Sequence, residues 1–228
     1  MFFWDHTIFL IIPPLLLAIY AQHKVKSTFE AFSRKTARSG ITGAEAARRI
    51  LSVQGAGSVE IERVSGRLSD HYDPRKKKLR LSESVYGSRS LAALGVAAHE
   101  AGHALQHHSG YVPLHLRNLI YPVASFGSTL AFPLFFIGFI FSTDGPSILM
   151  DIGILFFTGA VFFSVLTLPV EFNASQRALQ LLKSGHFLNQ TELTGARKVL
   201  SAAALTYVAS TAMAIMQLLR LLILRNRT

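Results

Sequence analysis

Four stretches of this chain contain no Asp, Glu, Lys or Arg: residues 6–23, 118–143, 152–170 and 199–219, the last running past Arg220 to residue 224. A helix needs about 20 predominantly apolar residues to cross the hydrocarbon core of a bilayer. Inside that core no water is present to bond the backbone, so a spanning segment must satisfy its own N–H and C=O groups. Together these constraints predict a mainly α, multi-span integral membrane protein. Composition agrees, since only 16% of residues are charged, against about 25% in an ordinary soluble domain. The apolar content also excludes disorder, which needs low hydrophobicity.

The second and third stretches are rich in Phe, Leu, Ile and Gly, as lipid-facing spans are. The fourth, residues 199–224, is rich in Ala, Ser and Thr and reads as a transmembrane or membrane-embedded helix packed among others. The first carries Pro13-Pro14. Asp5 precedes it, and Lys24, Lys26, Arg34, Lys35 and Arg38 follow it without an Ala-x-Ala cleavage pattern. That order predicts an uncleaved anchor with its N-terminus outside.

Between the first two spans lies a polar segment, residues 24–117, with 16 Lys and Arg against 8 Asp and Glu. Most of the net charge of +10 therefore sits here. The positive-inside rule places this segment in the cytoplasm. The second and third spans then form a hairpin with a short outer turn at Asp144-Gly145-Pro146. Residues 171–198 return to the cytoplasm. A fourth crossing leaves Arg225 and Arg227 outside, against the charge rule.

The polar segment reads as a small α+β portion. Thr42 and Glu45 form a capping box that opens a helix over 44–51. Residues 59–64 and 78–81 alternate as strands, with an Asp73-Pro74 turn between them, which predicts a small antiparallel sheet. Residues 90–109, rich in Ala and Leu, form a helix. The run Arg75-Lys76-Lys77-Lys78 reads as a solvated turn, with attraction to anionic headgroups as its functional alternative. Aromatic interleaving and nucleic-acid motifs are absent, so nucleic acid is not an expected partner.

That last helix carries His99-Glu100-Ala101-Gly102-His103. Residues four apart share one helical face, so both imidazoles reach a single zinc ion. Glu100 stands one residue on, placed to contact a zinc-bound water as general base. The chain has no cysteine, so any further ligand comes from His, Asp or Glu. The metzincin pattern fails, because Gln106 stands at its Gly position and Ser109 at its third His. His107 and His108 read as surface or supporting histidines, since one rigid helix does not easily close three stacked histidines around a tetrahedral ion. Glu171 is the better third ligand. It follows Pro169 at the end of a span, and two crossings return the chain to the side of His103. Glu192 is the weaker rival and reads more simply as a helix-start residue.

The string Ala97-Ala98-His99-Glu100-Ala101-Gly102-His103-Ala104-Leu105-Gln106-His107 resembles the bacterial YugP-type family of membrane zinc metallopeptidases. So do residues 68–75, 168–175 and 203–208, and the resemblance runs over nearly the whole chain. It implies a gluzincin arrangement, with His99, His103 and Glu171 as ligands of one zinc per chain and Glu100 as base. It also implies a multi-pass protein of the bacterial cell membrane; the charge rule puts its active site on the cytoplasmic side. The broader HtpX-like membrane proteases carry a similar Glu-[Phe/Tyr]-x-Ala-Asp. Here Ser175 stands at the Asp position, which leaves Ser175, Asp70 and Asp73 as candidates to support a zinc histidine.

The expected activity is endoproteolysis of membrane-associated or misfolded polypeptides. His71 is the candidate oxyanion stabiliser, with Tyr72, Tyr86 and Tyr207 behind it. A substrate strand is expected along the sheet edge. Two rival readings are a zinc hydrolase of a lipid or non-peptide amide, and a non-enzymatic membrane scaffold with structural zinc. A structural site needs four protein ligands, and under that reading Glu100 has no role.

Overall fold

The computed structural model describes residues 6–142 and 145–226. Asp5, Thr143 at the end of the second charge-free stretch, Asp144 of the expected outer turn and Arg227 lie outside the described residues. A short 3₁₀ turn, His6–Leu10, leads into α1 (Ile12–Ser33). Then come α2 (Gly43–Val53), β1 (Glu60–Val64), β2 (His71–Asp73), β3 (Lys78–Ser82), α3 (Glu83–Tyr86) and α4 (Leu91–His108). Three long helices complete the chain: α5 (Val112–Ile140), α6 (Ile148–Ser184) and α7 (Gln190–Arg225). The protein is thus mainly α, with one small sheet. Among the described residues, four helical segments are long and apolar enough to cross a membrane: His6–Ser33, Val112–Ile140, Ile148–Ser184 and Gln190–Arg225.

The described residues group into two compact units. The first comprises residues 6–21, 115–142, 145–169 and 206–226. Here glycines bring backbones together. A Cβ on Gly153 would lie 2.7 Å from Ala131 O, and one on Gly138 would lie 2.8 Å from Met150 N, so α5 and α6 pack at a distance only glycine permits. Phe132, Phe135, Phe136 and Phe157 interlock beside that contact. The Thr211 hydroxyl of α7 donates to Ser164 O of α6 at 3.2 Å. The outward face carries exposed Leu16, Val123, Phe126, Phe141, Leu155 and Phe162, a surface suited to hydrocarbon rather than water.

The second unit comprises residues 22–114 and 170–205. Its core is built on α4, whose Ala92, Ala93, Ala97, Ala98, Ala101 and Ala104 are all buried. Small side chains there let neighbouring helices approach closely, and α2 packs directly on α4. The Thr42 capping box forms in both directions: Glu45 N donates to Thr42 Oγ1 at 3.2 Å and Thr42 N donates to Glu45 Oε2 at 2.7 Å. This holds the start of α2 with about 1 kcal/mol.

The sheet differs from the sequence expectation. Its order is β1-β3-β2, with β1 parallel to β3 and only β2 antiparallel to β3. The Asp73-Pro74 turn joins β3 to β2, a strand too short to show alternation, rather than to β1. Asp73 Oδ1 accepts from Arg75 N at 3.0 Å and Lys76 N at 3.1 Å, which closes that turn. Arg75, Lys76 and Lys77 are exposed at its tip. In β3 the alternation is clean: Leu79 and Leu81 are fully buried, each contributing about 1.5–3 kcal/mol of burial. Lys78 and Arg80 face the other way and pair with Glu60, Glu62 and Asp73.

Candidate metal centre

His99 and His103 project from the same face of α4, one turn apart, with ring centroids 4.7 Å apart and planes at 85°. Glu171 comes from α6. All three belong to the second unit. Their convergence depends on Gly102, between the two histidines. A Cβ there would sit 2.8 Å from Ala174 O of α6, so α4 and α6 touch backbone to backbone at this point. Ala174 is one turn beyond Glu171, and the close crossing sets the Glu171 carboxylate against the imidazoles.

Glu171 Oε2 lies 3.3 Å from His99 Nε2 and 3.4 Å from His103 Nε2. One ligand atom from each residue falls within 4.8 Å of the others. The two short separations match a zinc site: ligand bonds of about 2.0–2.1 Å at tetrahedral angles put ligand atoms about 3.3–3.4 Å apart. The side chains are nearly enclosed, with 13% of His99, 12% of His103 and 4% of Glu171 exposed. Two imidazoles and one carboxylate also make a borderline-soft donor set of the kind zinc takes. The residues present therefore fit the ion.

The far ring nitrogens are held as well. His99 Nδ1 lies 3.1 Å from Ser175 Oγ, and His103 Nδ1 lies 3.0 Å from Gln106 Oε1. Such partners orient a metal-binding imidazole and fix which nitrogen faces the ion. Glu100 is buried beside His99. Burial pushes its carboxyl up to about 7, with Glu171 and Asp70 adding to the rise and His99 and His71 opposing it.

The other candidates from the sequence have different placements. Asp70 accepts from Ser82 N at 2.7 Å and from Ser82 Oγ at 3.0 Å. Burial raises its carboxyl despite those bonds. Asp73 holds the turn and pairs with Arg80. Of the three supporting candidates, Ser175 is the one at a histidine of the converging group. His71 is exposed, with Nδ1 2.8 Å from Ser69 O and Nε2 3.4 Å from Arg80 Nη1. His107 Nδ1 lies 2.8 Å from the Tyr72 hydroxyl, His108 is exposed, and Tyr86 packs on the core. Tyr207 belongs to the first unit. Glu192 caps α7 reciprocally with Asn189 and accepts from Arg38 N at 2.8 Å. Gln106 and Asn173 escaped the sequence reading. The available signal was spacing: Gln106 lies three residues after His103 on one helix, within side-chain reach.

Comparison with known proteins points to the same chemistry. The family described as "Putative neutral zinc metallopeptidase" matches residues 7–226. The "Putative membrane protease YugP" of Bacillus subtilis (strain 168) is 52% identical over 213 residues, covering 93% of this chain and 93% of that protein. No solved structure matches. A match over nearly the whole chain, on a membrane protein whose His99, His103 and Glu171 meet at zinc-ligand spacing, places this chain in that neutral zinc metallopeptidase family.

Proposed function

We propose that this protein is a zinc-dependent membrane endopeptidase that cleaves membrane-associated or misfolded polypeptides. The carrying observation is the convergence of His99 Nε2, His103 Nε2 and Glu171 Oε2 beside a buried Glu100, whose carboxyl burial pushes up to about 7. His99, His103 and Glu171 would hold one zinc per chain. When bound, zinc polarises the scissile carbonyl and acidifies water. Glu100 takes the proton from the attacking water on one side of the scissile bond. It then delivers that proton to the departing amine, a role suited to a group titrating near the working pH. Enclosure of the site strengthens each of these electrostatic contacts. Among the described residues three donors converge, fewer than the four that a closed structural zinc site would need, which favours the catalytic reading.

The proposed topology has four crossings of a bacterial cell membrane. Residues 24–117 and 171–198, with the site, lie in the cytoplasm. Support for a full crossing by α7 comes from Arg225 near its end, which pairs with Asp151 at the start of α6. That pairing offsets the positive charge which the inside rule disfavours on the outer side.

A Glu100→Gln variant in detergent or lipid tests the reading. Expected are one zinc per chain by elemental analysis and loss of cleavage across a peptide library. Full cleavage by this variant would overturn the role of Glu100. Wild-type turnover of a lipid panel with an inert peptide library would replace the peptidase reading with the lipid one.

A further inference from the structure

The atoms around His103 form a chain of four side chains whose proton direction has only one solution. Gln106 is fully buried. Its Nε2 lies 2.9 Å from Val170 O and 2.9 Å from Asn173 Oδ1, and its Oε1 lies 3.0 Å from His103 Nδ1. Asn173 Oδ1 also accepts from Arg177 Nε at 2.9 Å.

Amide and imidazole groups can ordinarily be turned either way. Here two groups forbid it. A guanidinium N–H only donates, so the Asn173 atom facing Arg177 is the carbonyl oxygen. A backbone carbonyl only accepts, so the Gln106 atom facing Val170 is the NH2 nitrogen. That nitrogen spends one hydrogen on each oxygen, which leaves Gln106 Oε1 towards His103. An oxygen there requires a hydrogen on His103 Nδ1. The Nε2 of His103 is then the ring nitrogen that faces the place where Glu171 and His99 converge.

We propose that Gln106 is a positioning residue that locks His103 in the Nδ1–H tautomer, with Asn173 and Arg177 setting the direction of the relay. This rests on the zinc reading and deepens it. The relay runs Arg177 to Asn173, Gln106 to Asn173, and His103 to Gln106, all within the second unit. It requires no carboxylate behind His103. It also explains why Gln106, at the position where a metzincin has glycine, is wholly buried although polar.

The test separates proton direction from packing. In Gln106→Glu the shape is kept but both donors are lost, leaving carboxylate oxygens against Val170 O and Asn173 Oδ1. Zinc affinity, measured by chelator competition on detergent-solubilised full-length protein, is expected to fall at least about tenfold. Asn173→Asp keeps the acceptor for both Gln106 and Arg177, and its zinc affinity is expected within about threefold of wild type. In the metal-free wild type, nitrogen NMR is expected to show a hydrogen on His103 Nδ1, whether or not Nε2 also carries one towards Glu171, and in Gln106→Met a mixture in which Nδ1 is bare in part. A dominant form of His103 with Nδ1 bare in the wild type overturns the proposal. So does a folded Gln106→Glu variant binding zinc as tightly as wild type. If Gln106→Glu does not fold, the wild-type spectrum decides. If the wild type takes up no zinc, the metal reading fails and the spectrum still judges the relay.

Discussion

The α carbon of Gly102 faces Ala174 so closely that a Cβ would sit 2.8 Å from the Ala174 carbonyl oxygen. This contact joins the helix bearing two histidines to the helix bearing Glu171. Gly102→Ala must push α4 from α6 by several tenths of an ångström, at a cost of about 1–3 kcal/mol. Zinc affinity is expected to fall with it, because the donor spacing opens. A thermal melt and a chelator titration on the same sample check this; a melt lowered with zinc affinity intact would uncouple the contact from the site.

The Ser175 hydroxyl is the partner of His99 Nδ1. Ser175→Ala is expected to lower zinc affinity about tenfold, the lower end for loss of such a partner. Ser175→Asp supplies a stronger acceptor and is expected to bind zinc at least as tightly as wild type. Equal affinities across all three proteins would remove Ser175 from the site.

Glu171 is the one carboxylate among the three converging groups. Glu171→Ala is expected to reduce bound zinc far below one per chain by elemental analysis. Zinc at 100 times its dissociation constant is expected to stabilise the wild type by about 2.7 kcal/mol by mass action. Glu171→Ala should show a much smaller rise in melting temperature on adding zinc. Unchanged metal content in the variant would exclude Glu171 as a ligand.

Because the chain has no cysteine, single cysteines report sidedness cleanly. Lys76 at the β2–β3 turn and Pro146 before α6 are both exposed. Lys76→Cys is expected to react with an impermeant thiol reagent only after the cytoplasm is opened, and Pro146→Cys in intact cells. Labelling of both from one side would break the proposed α5–α6 hairpin.

Helix content was legible because it follows from local composition. Charge-free runs mark apolar helices wherever they occur, and the Thr42 and Glu45 pairing is a contact three residues long. The lengths of the helices were less so. α1 continues to Ser33 and α6 to Ser184, well past their apolar portions, because a helix does not stop where its surroundings change from lipid to protein. The sheet was misread, since parallel pairing of β1 with β3 depends on where β2 lies, and three residues carry too little pattern to show it.

By itself the sequence determined that this chain is a helical membrane protein and that His99 and His103 share one face, because helical periodicity is a property of neighbours. It ranked Glu171 first as the third group, with Glu192 and two nearby histidines as weaker rivals. Only the tertiary structure set Glu171 against the histidines while committing Glu192 to a helix cap. Only it made Gln106 the partner of His103. The physical reason is distance along the chain. The meeting of α4 and α6 turns on one missing methyl group at Gly102, whose meaning appears only when Ala174 lies across from it.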